Sequence, residues 1–117
     1  MLKKYDLRIA QGSDYGLQVI LQQPLGTAMN LTGFTAQAEI KLFTSADDVA
    51  AEMTCTIDED ATTGILVLSL DNTQTTKLTN NYYVYDLFIE SNNIKTKVLF
   101  GDVFVTSQIT EPIIIEP

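Results

Sequence analysis

Histidine, the side chain most often used as a catalytic base or metal ligand, is absent from this sequence. Without imidazole there is no Ser-His-Asp triad, no His-activated cysteine and no His-ligated metal. The densest acidic run is Asp58-Glu59-Asp60, followed by Thr62 and Gly64. A calcium loop counted from Asp58 would need glycine at its sixth position and a carboxylate at its twelfth. Thr63 and Ser69 stand there instead, so the run reads as a solvated hairpin turn. Paired carboxylates can also serve glycoside hydrolysis. Fifteen acids in a small chain place some pairs close by chance, and no tryptophan is present to form a sugar platform. Cys55 is the only cysteine, which excludes an internal disulfide and reads as a small buried hydrophobe. The expectation is a protein that is not an enzyme and needs no cofactor or metal.

Two further groups have a polar handle. Tyr82, Tyr83 and Tyr85 are the densest aromatic cluster. Strand alternation puts Tyr83, Tyr85, Leu87 and Ile89 on one face and Tyr82, Val84, Asp86 and Phe88 on the other. The cluster is either a ligand platform or a tyrosine that closes one end of the core with its hydroxyl on backbone; the second reading is preferred. Asp86 sits mid-strand, and Lys97 across the next hairpin or Arg8 would be its partner if it is buried. Asn30-Leu31-Thr32 fits a glycosylation sequon, which carries nothing without a secretion signal.

These residues lie on elements that read as strands. Phe34, Ala36, Ala38, Ile40 and Leu42 alternate with polar partners from Phe34 to Phe43, the signature of a half-buried strand. Lys4 to Ala10, Tyr15 to Gln22, Glu52 to Ile57, Ile65 to Leu70, Tyr82 to Glu90 and Ile94 to Thr106 read likewise. Asp58 to Gly64 and Ser91 to Asn93 are hairpin turns. Asp71 suits a helix N-cap, which predicts one helical turn across Thr73 to Leu78. Asp47 to Ala51 is a helical turn or a loop, and Gly101-Asp102 marks a bulge. The pattern predicts an all-β fold: an antiparallel β-sandwich of about seven strands with one short helical turn. The expected division is a β-sandwich module over residues 1–107 and an apolar C-terminal arm over 108–117.

Composition limits the partners. The 117 residues fit one domain, and the net charge of −8 leaves too few cations for a phosphate backbone or an anionic membrane. No stretch approaches the ~18 apolar residues of a membrane span, and no apolar leader follows Lys3 and Lys4. Against this polar background Ile113, Ile114 and Ile115 stand apart between Pro112 and Pro117. They are the candidate partner-binding residues. Either they fold back as a strand or tail on their own sheet, or they form an arm laid on a neighbouring subunit by strand addition.

Several segments, in order, resemble a known family. Tyr5-Asp6-Leu7 and Gln11-Gly12-Ser13-Asp14-Tyr15 are similar to the opening strand and turn of a tailed-phage virion module. Asn30-Leu31-Thr32-Gly33-Phe34-Thr35-Ala36 resembles that module's lead into its central strand. Gly64 to Leu70, Thr75 to Leu78 and Tyr83-Val84-Tyr85-Asp86-Leu87 follow in the same order. The family is the N-terminal domain of phage baseplate upper proteins and related tail and fibre proteins, and the resemblance spans residues 5 to 107. It implies an immunoglobulin-like sandwich that connects virion parts, with other virion proteins as partners in a symmetric assembly or by self-association. The implied location is the virion, after synthesis in the host cytoplasm. Only eleven residues follow Thr106, where the family often carries a receptor-binding or fibre domain. The expectation is therefore a structural adaptor in the tail, baseplate or fibre-attachment apparatus. A capsid head decoration protein and a carbohydrate-binding module gripping host glycans are the alternatives.

Overall fold

Alternation of apolar and polar side chains produces eight strands in the computed structural model, which describes residues 2–107. They are β1 (Lys3–Lys4), β2 (Leu7–Ala10), β3 (Tyr15–Ile20), β4 (Thr35–Lys41), β5 (Ala51–Ile57), β6 (Ile65–Leu70), β7 (Tyr82–Ser91) and β8 (Ile94–Thr106). One α-helix among the described residues, α1 (Asn72–Thr76), joins β6 to β7. The strands pair in the order β1-β8-β7-β4-β5-β6-β3, with β2 also on β8. Halfway along its length β5 changes partner. Ala51 to Met53 pair with β4, and Thr54 to Ile57 pair with β6. This handover curls the sheet, so Leu66, Leu68 and Leu70 of β6 join the same core as Ile40, Leu87 and Val103. Each such side chain contributes about 1.5–3 kcal/mol by leaving water.

The sheet is mixed, which corrects the antiparallel expectation. β1 and β2 run parallel to β8, while the other pairs are antiparallel. A parallel pair needs a long connection, and nearly the whole chain lies between these strands. The anticipated strand from Lys4 to Ala10 is also broken at Tyr5 and Asp6. There the backbone N–H of Asp102 donates to Asp6 Oδ1 at 3.0 Å, and Lys4 Nζ donates to the same oxygen at 2.9 Å. A side chain has replaced one rung of the ladder.

The β7–β8 hairpin turns at Asn92 and Asn93, with φ of 53° and 64°. Two successive left-handed residues suit the right-handed twist of a two-residue hairpin, and asparagine tolerates them. The bulge lies at Val98, where pairing shifts from Leu87 with Leu99 to Phe88 with Lys97. Val98 and Leu99 are both buried as a result. Gly101 and Asp102, expected to bulge, pair in register with Tyr85 and Val84. Glycine is needed at 101 for close approach: a Cβ there would lie 2.3 Å from the Tyr5 carbonyl oxygen.

Helix α1 starts where the N-cap signal placed it, within a residue. Asp71 Oδ1 accepts from the Gln74 N–H at 2.9 Å, and Gln74 Oε1 accepts from the Asp71 N–H at 3.0 Å, a reciprocal capping box. Thr75 is fully buried; its hydroxyl accepts from Gly12 N–H and donates to the Ser13 carbonyl. The β2–β3 turn is thereby pinned to the helix. Hydrogen bonds from Thr73 and then Gln74 hold the Asp71 carboxyl below its ordinary value of 3.8. A lowered folded-state pKa adds stability above the unfolded value, and that stability is lost as pH falls through the folded one. Urea midpoints are thus expected to drop as pH is taken below 3.8, and less steeply in Asp71→Asn. The segment from Asp47 to Ala50 is loop, and β5 begins at Ala51.

Candidate functional site

The core-facing side of β4, β7 and β8 is mostly apolar, and the charged side chains of these strands stand on the opposite side. Registered partners share a face, which fixes the arrangement there in rows. Gln37, Phe88 and Lys97 form one row. Glu39, Asp86, Phe100 and Lys4 form the next. Lys41, Val84 and Asp102 follow, then Tyr82, Phe104 and Arg8. A shallow concavity spans these rows from Lys4 to Lys97. Lys4, Arg8, Lys41, Lys95 and Lys97 make this the cationic part of an acidic chain; Lys3 and Lys77 are its other basic residues.

Cations and aromatics are interleaved on this face. Lys95 and Lys97 lie 4.9 and 5.4 Å from the Phe88 ring centre, and Arg8 lies 5.2 Å from that of Phe104. Tyr82 and Phe104 are tilted neighbours at 5.9 Å. At one corner Tyr82 donates its hydroxyl to Asp102 Oδ1 at 2.6 Å, and Lys4 bridges Asp6 and Asp102. Bonding to Lys4, then to the Asp102 backbone, holds the Asp6 carboxyl down. The hydrogen bond to Asp102 pushes the Tyr82 phenol up. The Asp6 carboxyl is thus held charged and the Tyr82 phenol neutral.

Glu52, Glu39 and Asp86 occupy adjacent registered positions on β5, β4 and β7. Like charges directly opposite are unfavourable. Lys97 Nζ sits 3.4 Å from Asp86, which relieves one end of the row. Glu39→Gln is therefore expected to stabilise the fold by roughly 0.2–1 kcal/mol in urea titrations. The gain should shrink in high salt.

The residues singled out from sequence fall as follows. Tyr83 and Tyr85 are buried and Tyr82 is exposed, so the three tyrosines do not form a common platform. Tyr83 accepts from the Asn80 N–H at 3.0 Å, and Tyr85 donates to the Tyr5 carbonyl at 2.5 Å. Burial drives the Tyr85 phenol far above its ordinary value. Asp86 is partnered by Lys97, not Arg8, and is partly exposed. Asp58 and Asp60 bond within their own turn: Asp60 Oδ1 accepts from the Thr62 N–H and hydroxyl at 3.1 and 2.6 Å. No group of three or more metal-ligating side chains occurs among the described residues. Cys55 is half-buried on the core side, and burial raises its thiol pKa, which lowers its reactivity. Asn30 Oδ1 accepts from the Thr32 hydroxyl and N–H, an Asx turn leading into β4. Ile113, Ile114 and Ile115 lie outside the described residues. Sequence reading missed the row of Phe100, Asp102 and Phe104, whose i, i+2 spacing was visible but whose phase is set by the bulge at Val98. No helix among the described residues is long and apolar enough to cross a membrane.

Neither a protein-family model nor a curated protein matches the sequence. Among solved structures, the chain is similar to the crystal structure of the Lin-41 filamin domain. Identity is 17%, coverage is 82% of this chain and 81% of that one, and the TM-score is 0.43. It is also similar to a chain in the crystal structure of ICOS in complex with ICOS-L and an anti ICOS-L VNAR domain. There identity is 14%, coverage is 92% of this chain and 56% of that one, and the TM-score is 0.48. The architecture stated above rests on the strand pairing of the chain itself.

Proposed function

We propose that this chain is a non-enzymatic structural protein of a tailed-phage particle, an adaptor in the tail, baseplate or fibre-attachment apparatus. The proposed architecture is an immunoglobulin-like β-sandwich, with β5 passing from one layer to the other. The observation that carries the docking role is the outer face of β4, β7 and β8. Its charges are balanced while the remaining surface is acidic, and arginine and aromatic side chains are exposed on it. Such a face suits a protein partner better than a small substrate, because it is broad and shallow. The segments that resemble the phage module support the particle assignment. Leu31 of Asn30-Leu31-Thr32 is buried in the segment that leads into β4, and Tyr83 and Tyr85 anchor β7.

Deleting residues 108–117 is expected to leave the urea midpoint of the fold unchanged and to keep the protein out of assembled particles. Wild-type incorporation of the deletion variant would contradict the role of Ile113, Ile114 and Ile115. Unfolding would make the segment part of the core. The exposed Tyr82–Phe104 pair favours one second reading, a glycan-gripping module. Glycan-array binding that disappears in Tyr82→Ala with the fold unchanged would support it, and no binding would dismiss it.

A further inference from the structure

The two ends of the curled sheet are built differently. One end carries β1 and β2, with Lys3, Lys4 and Arg8 on them and a break at Tyr5 and Asp6. Lysines and interruptions keep an edge strand from pairing with a foreign chain. The other end is β3, which pairs with β6 on one side only. Its sequence, Tyr-Gly-Leu-Gln-Val-Ile, has no charge and no proline, and its pairing with β6 runs without a bulge. Ile20 is 55% exposed, and Leu17 and Val19 are only partly buried although they pack on the core. A groove of about 250 Å³ separates the two ends, with Leu17, Val19 and Ile20 on one wall and Lys3, Tyr5 and Leu99 on the other. A Cβ built on Gly16 meets nothing within 4 Å.

We propose that this groove receives Ile113 to Ile115 of a second copy of the chain, added as a strand to the free edge of β3. The proposal rests on the reading of those isoleucines as contact residues and is independent of which particle holds the protein. The occupant fits in three respects. Consecutive β-branched residues suit a pleated edge, and alternation lets Ile113 and Ile115 meet Leu17 and Val19 while Ile114 covers the Ile20 side. Pro112 and Pro117 have no N–H, so they confine the new ladder to the residues between them. Glu116 follows the isoleucines, and Lys3 at the groove rim has no ion pair with any described residue.

The direction of the chain favours a neighbour's groove over its own. Leu99 lies seven residues before Thr106 on β8, about 23 Å at strand rise. To return that far the chain would have to reverse just after Ser107. Between Ser107 and Pro112 the sequence offers no glycine, asparagine or aspartate for a tight turn.

Two full-length variants test this by analytical ultracentrifugation. Ile20→Lys places a charge on the exposed edge, and Ile113→Asp with Ile115→Asp disables the arm. The wild type is expected to self-associate with rising concentration, and each variant alone to stay monomeric. An equimolar mixture of the two variants should re-form a complex, because the intact arm of one meets the intact edge of the other. If Ile20→Lys does not fold, Gln18→Lys on the same exposed side takes its place. A wild type that is monomeric at every concentration would overturn the proposal. So would association that survives both variants, and so would a mixture that fails to complement. None of these outcomes bears on presence in a phage particle, which incorporation reads separately.

Discussion

Gly101→Val is expected to strip β1 and β2 from the sheet and to destabilise the protein by about 3 kcal/mol or more. An added Cβ would stand 2.3 Å from the Tyr5 oxygen and 2.8 Å from its carbonyl carbon. Both are backbone atoms, so no side chain can swing aside. The neighbouring contacts would go together: the Tyr5 N–H to the Phe100 carbonyl at 2.9 Å, the Tyr85 hydroxyl to Tyr5, and the Asp102 N–H to Asp6. Leu7 and Ile9, now fully buried, would lose their cover. Urea unfolding should show the loss, and hydrogen exchange should place it at residues 3–10. Gly16→Val is the control, because that position opens on empty space. Equal midpoints for Gly101→Val and wild type would mean that the N-terminal strand does not cross there.

Leu87→Ala should cost about 2–5 kcal/mol, the range for a leucine truncated where the surroundings cannot collapse. Leu87 has no exposed surface and stands in register between Ala38 on β4 and Leu99 on β8. The bulge at Val98 begins beside it, so the cavity would open where two consecutive residues of β8 are already turned inward. Ile94→Ala, at the hairpin tip with 69% of its surface exposed, should change stability by less than about 0.5 kcal/mol. Chemical denaturation of the pair separates the cases. Similar losses at both positions would contradict the assignment of the core face of β7.

Where local chemistry decides, the fold was legible in the sequence. The alternation read from Phe34 to Phe43 forms β4 over Thr35–Lys41, though Leu42 beyond it is exposed; Asp71 caps α1, and Asn92 and Asn93 turn the last hairpin. The core face of β7 followed from the same period of two, which separated Tyr83 and Tyr85 from Tyr82. What could not be read depends on partners distant in sequence. Nothing within Lys3 to Ala10 says that it runs parallel to β8. Nothing around Gly101 says that a carbonyl from Tyr5 passes over it. The bulge falls at Val98, three residues before the glycine that suggests it, because Val98 and Leu99 look like ordinary strand residues whereas glycine looks like punctuation. The candidate face was hidden for the same reason: Lys4, Arg8, Phe88 and Phe104 come together only through the pairing of four strands.

Cross-linking of purified phage particles, followed by mass spectrometry of the linked peptides, tests the proposed role most directly. Links are expected from Lys95 or Lys97 to tail, baseplate or fibre proteins, since those lysines stand on the outer face. Links to the major capsid protein would move the chain to the head as a decoration protein. Its absence from the particle would contradict the proposed function outright.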